Sequence, residues 1–149
     1  MSSAIDVAVI GVGLVGSAVL KQLATVPSLS ALKVVALQNS RKTLLAAPGQ
    51  HLALDHWQAQ LETSSSPALS LEQLESELQA IQAKNRRHIA VVDNTSNDTV
   101  AGFYPSFLRA GFSVVTPNKK AFSGSVDLFS AMEEAKENDA RPLVLSLIH

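Results

Sequence analysis

The residues that most constrain what this chain can fold into are Gly11-Val12-Gly13-Leu14-Val15-Gly16. They follow directly on Ile5-Asp6-Val7-Ala8-Val9-Ile10, a short β-branched run that reads as a buried parallel strand. Leu14 to Val26 then reads as a helix, with Leu14, Ala18, Leu23 and Val26 able to share a face and Pro27 just past its end. Leu32 to Leu37 is a second apolar strand. A bare G-x-G-x-x-G is weak evidence, and it also fits a glycine turn with no ligand. Between a strand and a helix that leads to a second strand, it has the context of a turn that cradles a dinucleotide pyrophosphate. Gly11 permits the tight turn, Gly13 lets a phosphate approach the backbone, and Gly16 lets the helix pack closely on the strand. The helix start at Leu14 and Val15 supplies unpaired N–H groups and a partial positive charge for the phosphates.

The rest of the chain keeps the same rhythm. A short helix is expected over Ala53 to Glu62, and a very short strand at Ala68-Leu69 after the Thr63 to Pro67 loop. Ser70 and Gln73 form an S-x-x-Q capping box ahead of a helix whose Leu71, Leu74, Leu78 and Ile81 recur at helical spacing. His88 to Val92 is a strand leading into Asp93-Asn94-Thr95-Ser96-Asn97. Asp98 to Arg109 is helical, with Pro105 predicting a kink or restart. Phe112 to Val115 is a strand that ends at Thr116-Pro117-Asn118-Lys119-Lys120. A helix over Val126 to Asn138, capped by Ser125, and a strand over Pro142 to Ile148 complete the pattern. Alternation of strands and helices predicts one α/β domain over residues 1–149, a doubly wound parallel sheet of Rossmann type.

Composition narrows the function classes. Of 149 residues, 46% are hydrophobic and 17% charged, which suits a globular core and not disorder. The net charge of −1 gives no electrostatic reason to expect nucleic acid or an acidic membrane as partner. The absence of cysteine removes disulfides, thiolate metal sites and a cysteine nucleophile. No signal peptide or membrane span is visible, so a cytoplasmic protein is expected. His51 and His56 flank Asp55 without same-face spacing, so no metal site is expected, and Trp57 reads as packing.

The end of the second strand bears on NAD against NADP. An acid there would hold the ribose 2′-hydroxyl, whereas an Arg can hold a 2′-phosphate. The chain offers Gln38-Asn39-Ser40-Arg41-Lys42, with no acid, which leans towards NADP with Arg41 as phosphate ligand. A solvated basic turn is the alternative. If the His88 strand lies beside the first strand, then Asn94, Thr95 and Ser96 fall at the crevice where open α/β sheets bind ligands. Their amide and hydroxyl groups can contact a nicotinamide ribose and carboxamide. Helix capping by Ser96, Asn97 or Asp98 is the other reading of that loop.

Four segments occur in order: Gly11 to Gly16, Val92-Asp-Asn-Thr-Ser96, Ala101-Gly-Phe-Tyr104 and Thr116-Pro-Asn-Lys-Lys-Ala-Phe-Ser123. Together they resemble the N-terminal part of homoserine dehydrogenase, most closely the fungal monofunctional form, from about Val7 to Phe129. The resemblance implies reduction of L-aspartate 4-semialdehyde to L-homoserine with NADH or NADPH, on the route to threonine and methionine. It implies that Gly13 to Gly16 sit at the pyrophosphate, that Thr95 contacts the cofactor, and that Lys119 sits near the nicotinamide and substrate as a catalytic residue. It further implies a homodimer, and a substrate domain that the family carries beyond this point and this chain lacks. The alternative weighed against an enzyme is a regulatory or sensory module that binds NAD(P) without turnover.

Overall fold

The computed structural model describes residues 5–27, 30–95, 97–116 and 144–146, with Val15 and 144–146 described by backbone alone. In chain order the elements are β1 (Ile5–Ile10), α1 (Leu14–Thr25), β2 (Leu32–Gln38), β3 (Thr43–Leu45), α2 (Trp57–Glu62), α3 (Leu71–Asn85), β4 (His88–Asp93), α4 (Asp98–Gly102), α5 (Tyr104–Arg109), β5 (Ser113–Thr116) and β6 (Val144–Ser146). They build one six-stranded sheet in the order β3-β2-β1-β4-β5-β6. Every pairing is parallel except the edge pair β2–β3, which is antiparallel. β6 confirms a strand within the expected Pro142 to Ile148 run, whereas the expected helix from Val126 to Asn138 lies outside the described residues.

Both faces of the sheet are covered because its strands are apolar on both sides. Val7 and Val9 point to one face, where α1 lays down Val19, Leu20 and Leu23 and α2 adds Leu61. Ala8 and Ile10 point to the other, under Leu74, Leu78 and Ile81 of α3 and Phe107 of α5. This is the period-two alternation of a strand buried between two helical layers.

Several expectations shift in detail. The buried stripe of α1 is Gly16, Val19, Leu20 and Leu23, while Leu14 is 81% exposed and Ala18 and Val26 also face solvent. The close seating of Gly16 on the sheet sets the helix rotation, so residues three, four and seven further on become the core. α2 starts at Trp57 and not Ala53. No strand forms at Ala68-Leu69; an isolated bridge joins Lys42 to Pro67 instead. The capping box of α3 is present as expected, with Gln73 N–H donating to Ser70 Oγ (3.1 Å) and Ser70 N–H to Gln73 Oε1 (3.0 Å). The helix after β4 does restart near Pro105, which occupies the first turn of α5.

At the N-terminal edge of the sheet lies a charged group with no counterpart in the sequence reading. Asp6 is fully buried. Its carboxylate accepts from Arg87 Nε and from Asn85 Nδ2 (2.9 Å), and His51 Nε2 lies 3.2 Å away. Arg87 also donates to the carbonyls of Ile5 (3.1 Å) and Ala31 (3.0 Å), so one guanidinium ties together the start of β1, the entry to β2 and the end of α3.

Candidate functional site

The carboxyl edge of the sheet is built by three strand ends in register: Ile10 faces Gln38 on one side and Asp93 on the other. The ladder runs on past the strands, with Gly11 N–H donating to the Gln38 carbonyl (2.8 Å) and Asn94 N–H to the Ile10 carbonyl (2.9 Å). From β1 the chain crosses to β2 on one side, and β4 lies on the other, so the topological switch point is the gap between β1 and β4.

The three motif glycines have different physical reasons. Gly11 has φ +87°, the left-handed region that disfavours side chains, and a Cβ there would press on Thr95 Cγ2 and the Asn94 backbone. At Gly16 a Cβ would overlap the Gly11 carbonyl oxygen, so this glycine is required by helix-on-turn packing. At Gly13 a Cβ would meet no atom of the described residues within 4 Å beyond its chain neighbours, so nothing among them requires a glycine there. Gly13 is also the N-cap of α1, which has no side-chain cap and no acidic residue in its first turn. The first amide of the helix to bond internally is Ser17 N–H, to the Gly13 carbonyl (2.8 Å). The N–H groups ahead of it lack intrahelical partners and, with the helix dipole, suit an anion.

In front of this turn is a crevice of about 540 Å³, lined by Gly11 to Gly13, by Gln38 to Ser40 from β2, and by Thr95, Asn97 and Val100 from the β4 side. Its size and its mixed apolar and polar lining suit a small-molecule site. Gln38, at the end of β2, does not face it freely: its Oε1 accepts from Thr43 Oγ1 and Leu69 N–H (3.1 Å), and its Nε2 donates to the Leu69 carbonyl (3.1 Å). This holds residues 68–69 against the sheet end. Asn39 Oδ1 accepts from Arg41 N–H (2.8 Å) and Lys42 N–H (2.7 Å), closing the β2–β3 turn. Lys42 Nζ donates to the Ser64 carbonyl (2.9 Å), whereas the exposed guanidinium of Arg41 has no partner among the described residues. The two cations that the sequence grouped together therefore separate.

On the other wall, Asn94 Nδ2 points at the Gly11 carbonyl (3.4 Å), so its side chain braces the glycine turn. Thr95 lines the crevice and is held by Asp93, whose Oδ1 accepts both Thr95 N–H (2.8 Å) and Thr95 Oγ1–H (2.6 Å). The other Asp93 oxygen accepts from the Tyr104 hydroxyl. Burial, and then that hydrogen bond, push the phenol pKa far above its usual value. Asn97 is the residue that caps α4, accepting from Thr99 N–H (2.7 Å) and Val100 N–H (3.3 Å). Ser96 and Lys119 lie outside the described residues. Sequence reading missed Asp93 and Tyr104 as site-forming groups. The signal available was a carboxylate at the very end of an otherwise apolar strand, which must be satisfied locally or bind something.

This fold, with its switch-point crevice behind a glycine turn and an uncapped helix, defines a Rossmann-type dinucleotide-binding domain. The chain belongs to the family described as homoserine dehydrogenase, NAD binding domain, whose profile matches residues 11–145. It is 36% identical over 129 residues to homoserine dehydrogenase of Saccharomyces cerevisiae, covering 86% of this chain and 35% of that protein. It is 40% identical over 146 residues to the homoserine dehydrogenase of Emericella nidulans, covering 91% of this chain and 38% of the relative. The chain therefore spans little more than a third of the curated relatives it matches. A hyperthermophilic archaeal homoserine dehydrogenase solved in complex with NADPH superposes with a TM-score of 0.59 over 97% of this chain and 44% of its own, at 16% identity, a likeness of fold. Among the described residues, no helix is long and apolar enough to cross a membrane.

Proposed function

We propose that this chain is the cofactor-binding part of a homoserine dehydrogenase, an NAD(P)-dependent oxidoreductase interconverting L-homoserine and L-aspartate 4-semialdehyde in threonine and methionine biosynthesis. The observation that carries the reading is the uncapped start of α1, opening past Gly13 onto the switch-point crevice. When bound, the nicotinamide cofactor supplies the hydride chemistry. The protein's part is to hold and orient it. The first-turn amides of Leu14, Val15 and Gly16 take the pyrophosphate; Asn94, Thr95 and Ser96 line the way to the nicotinamide end; Lys119 stands by the nicotinamide and the substrate as a cofactor-binding and catalytic residue. Residues 1–149 act as one domain of a cytoplasmic homodimer, without nucleic-acid or membrane partners. The homoserine dehydrogenase relatives favour this over a regulatory module without turnover.

The test is homoserine oxidation by the full-length protein that carries this domain. Lys119→Ala is expected to lower kcat by about a hundredfold, the scale of a lost acid–base group, with Lys120→Ala near the parent. Equal losses would remove the assignment, and a parent without turnover on homoserine would overturn the substrate.

Cofactor choice is expected to favour NADPH over NADH by roughly ten- to thirtyfold, because no carboxylate follows β2 and the Arg41 guanidinium, without a partner among the described residues, can fork a 2′-phosphate. The site is exposed, so the preference should shrink with added salt and largely vanish in Arg41→Ala. Tighter binding of NADH by the parent in parallel calorimetric titrations would refute it.

A further inference from the structure

The hydrogen bonds at the end of β4 constrain what Thr95 can offer a ligand. A threonine hydroxyl has one proton to donate and two lone pairs to accept with. A carboxylate can only accept, so the Thr95 proton is committed to Asp93 Oδ1 (2.6 Å). One lone pair takes the Asn97 N–H (3.3 Å). Among the described residues, what remains at the crevice wall is a single lone pair, backed by a carboxylate that is 1% exposed.

Asp93 is itself held. Its second oxygen accepts from Tyr104. The chain Tyr104–Asp93–Thr95 thus runs from α5 to the carboxyl end of β4, with Tyr104 and Asp93 buried. The carboxylate has no proton to give, so the direction of both bonds into Asp93 is fixed.

We propose that Asp93 and Tyr104 are positioning residues that lock the Thr95 hydroxyl as a hydrogen-bond acceptor towards the crevice, so that Thr95 selects a ligand donor and not a phosphate. Resting on the reading of the crevice as a dinucleotide site, this deepens it. A dinucleotide has two kinds of donor towards its nicotinamide end, ribose hydroxyls and the carboxamide N–H. Its phosphates carry only acceptors and would meet both the lone pair and the negative charge behind it.

The experiment is calorimetric titration of the full chain and its variants with NADPH, ADP-ribose and inorganic pyrophosphate. Thr95→Val is expected to weaken NADPH by about tenfold, the scale of one lost hydrogen bond, with Thr95→Ser near the parent and pyrophosphate unchanged. A parallel loss with ADP-ribose assigns the donor to ribose; a loss confined to NADPH assigns it to the carboxamide. Tyr104→Phe is expected to weaken NADPH by roughly threefold in the parent and to have no effect in the Thr95→Val background, because it acts through that hydroxyl. Equal loss of pyrophosphate and NADPH in Thr95→Val, or the same Tyr104→Phe effect in both backgrounds, would overturn the proposal while leaving the dinucleotide site intact. If Tyr104→Phe does not fold, the Thr95→Val and Thr95→Ser comparison decides alone. A parent that binds neither NADPH nor ADP-ribose would remove the site itself.

Discussion

Valine at Gly13 is expected to leave the fold intact and abolish dinucleotide binding, whereas valine at Gly16 is expected to damage the fold. The two positions lie three residues apart in one motif, yet their surroundings differ. At Gly16 the added Cβ overlaps the Gly11 carbonyl, a backbone atom that cannot swing aside like a side-chain end. Relief requires α1 to lift from the sheet, taking Val19, Leu20 and Leu23 with it. That exceeds ordinary overpacking, so a loss of about 3 kcal/mol or more is expected. At Gly13 the side chain enters space that no described residue occupies, and the poorer N-cap costs about 1 kcal/mol or less. The same side chain stands over the unpaired amides, where a pyrophosphate must make contact within hydrogen-bond distance. NADPH affinity should fall by at least about a hundredfold, which is roughly 2.7 kcal/mol. Thermal unfolding and NADPH titration on both variants check this. A Gly13→Val protein that binds like the parent would show that the pyrophosphate does not lie over this turn.

The contrast also marks how far the sequence could be read. The strand–glycine–helix order and the capping box at Ser70 were legible because each depends on neighbours within a few residues. The fold class followed from alternation of elements. What was hidden depended on distance or on context. The edge strand Thr43–Leu45 is three residues long, too short for a periodic signal, although the Asn39-Ser40 turn that creates it has a side chain suited to bonding the amides two and three residues on. The buried face of α1 does not follow from its apolar residues alone: Leu14 reads as core, yet Gly16, expected to seat the helix closely on the strand, sets a rotation that leaves Leu14 exposed. In the structure the glycine is the point of closest approach. Arg41 and Lys42 look alike in sequence, and only the loop that brings Ser64 beside Lys42 tells them apart. In the site, Thr95 was legible from its loop. Its polarity was not, since that is imposed by Asp93, which is held in turn by Tyr104, eleven residues further on.

The charged cluster at the opposite edge was least legible of all, because Asp6 and Arg87 are 81 residues apart. It leads to the second large effect: Asp6→Ala is expected to destabilise the domain by about 3 kcal/mol without weakening the cofactor site. Removing one member of a buried pair costs more than the pair contributes, since the other charge is left unsatisfied. Arg87 keeps the Ile5 and Ala31 carbonyls and its side chain is 18% exposed, so the low end of the range applies. Asn85 loses its acceptor as well. Against a typical total stability of about 5–15 kcal/mol, the loss is large, and for a chain of this length it corresponds to a fall in Tm of roughly 10 °C. Asp6→Asn retains an acceptor oxygen in place and is expected to lose less. Asp6 pairs with Lys33 and Ile89 at the start of the parallel strands, while the crevice begins at Ile10, Gln38 and Asp93 at their ends. The folded fraction of Asp6→Ala, measured well below its Tm, should therefore bind NADPH within about twofold of the parent, as expected for separated, independent sites. A Tm within 2 °C of the parent would show that Arg87 is satisfied by its carbonyls and water alone. A large loss of affinity in the folded variant would show that the two edges of the sheet are coupled.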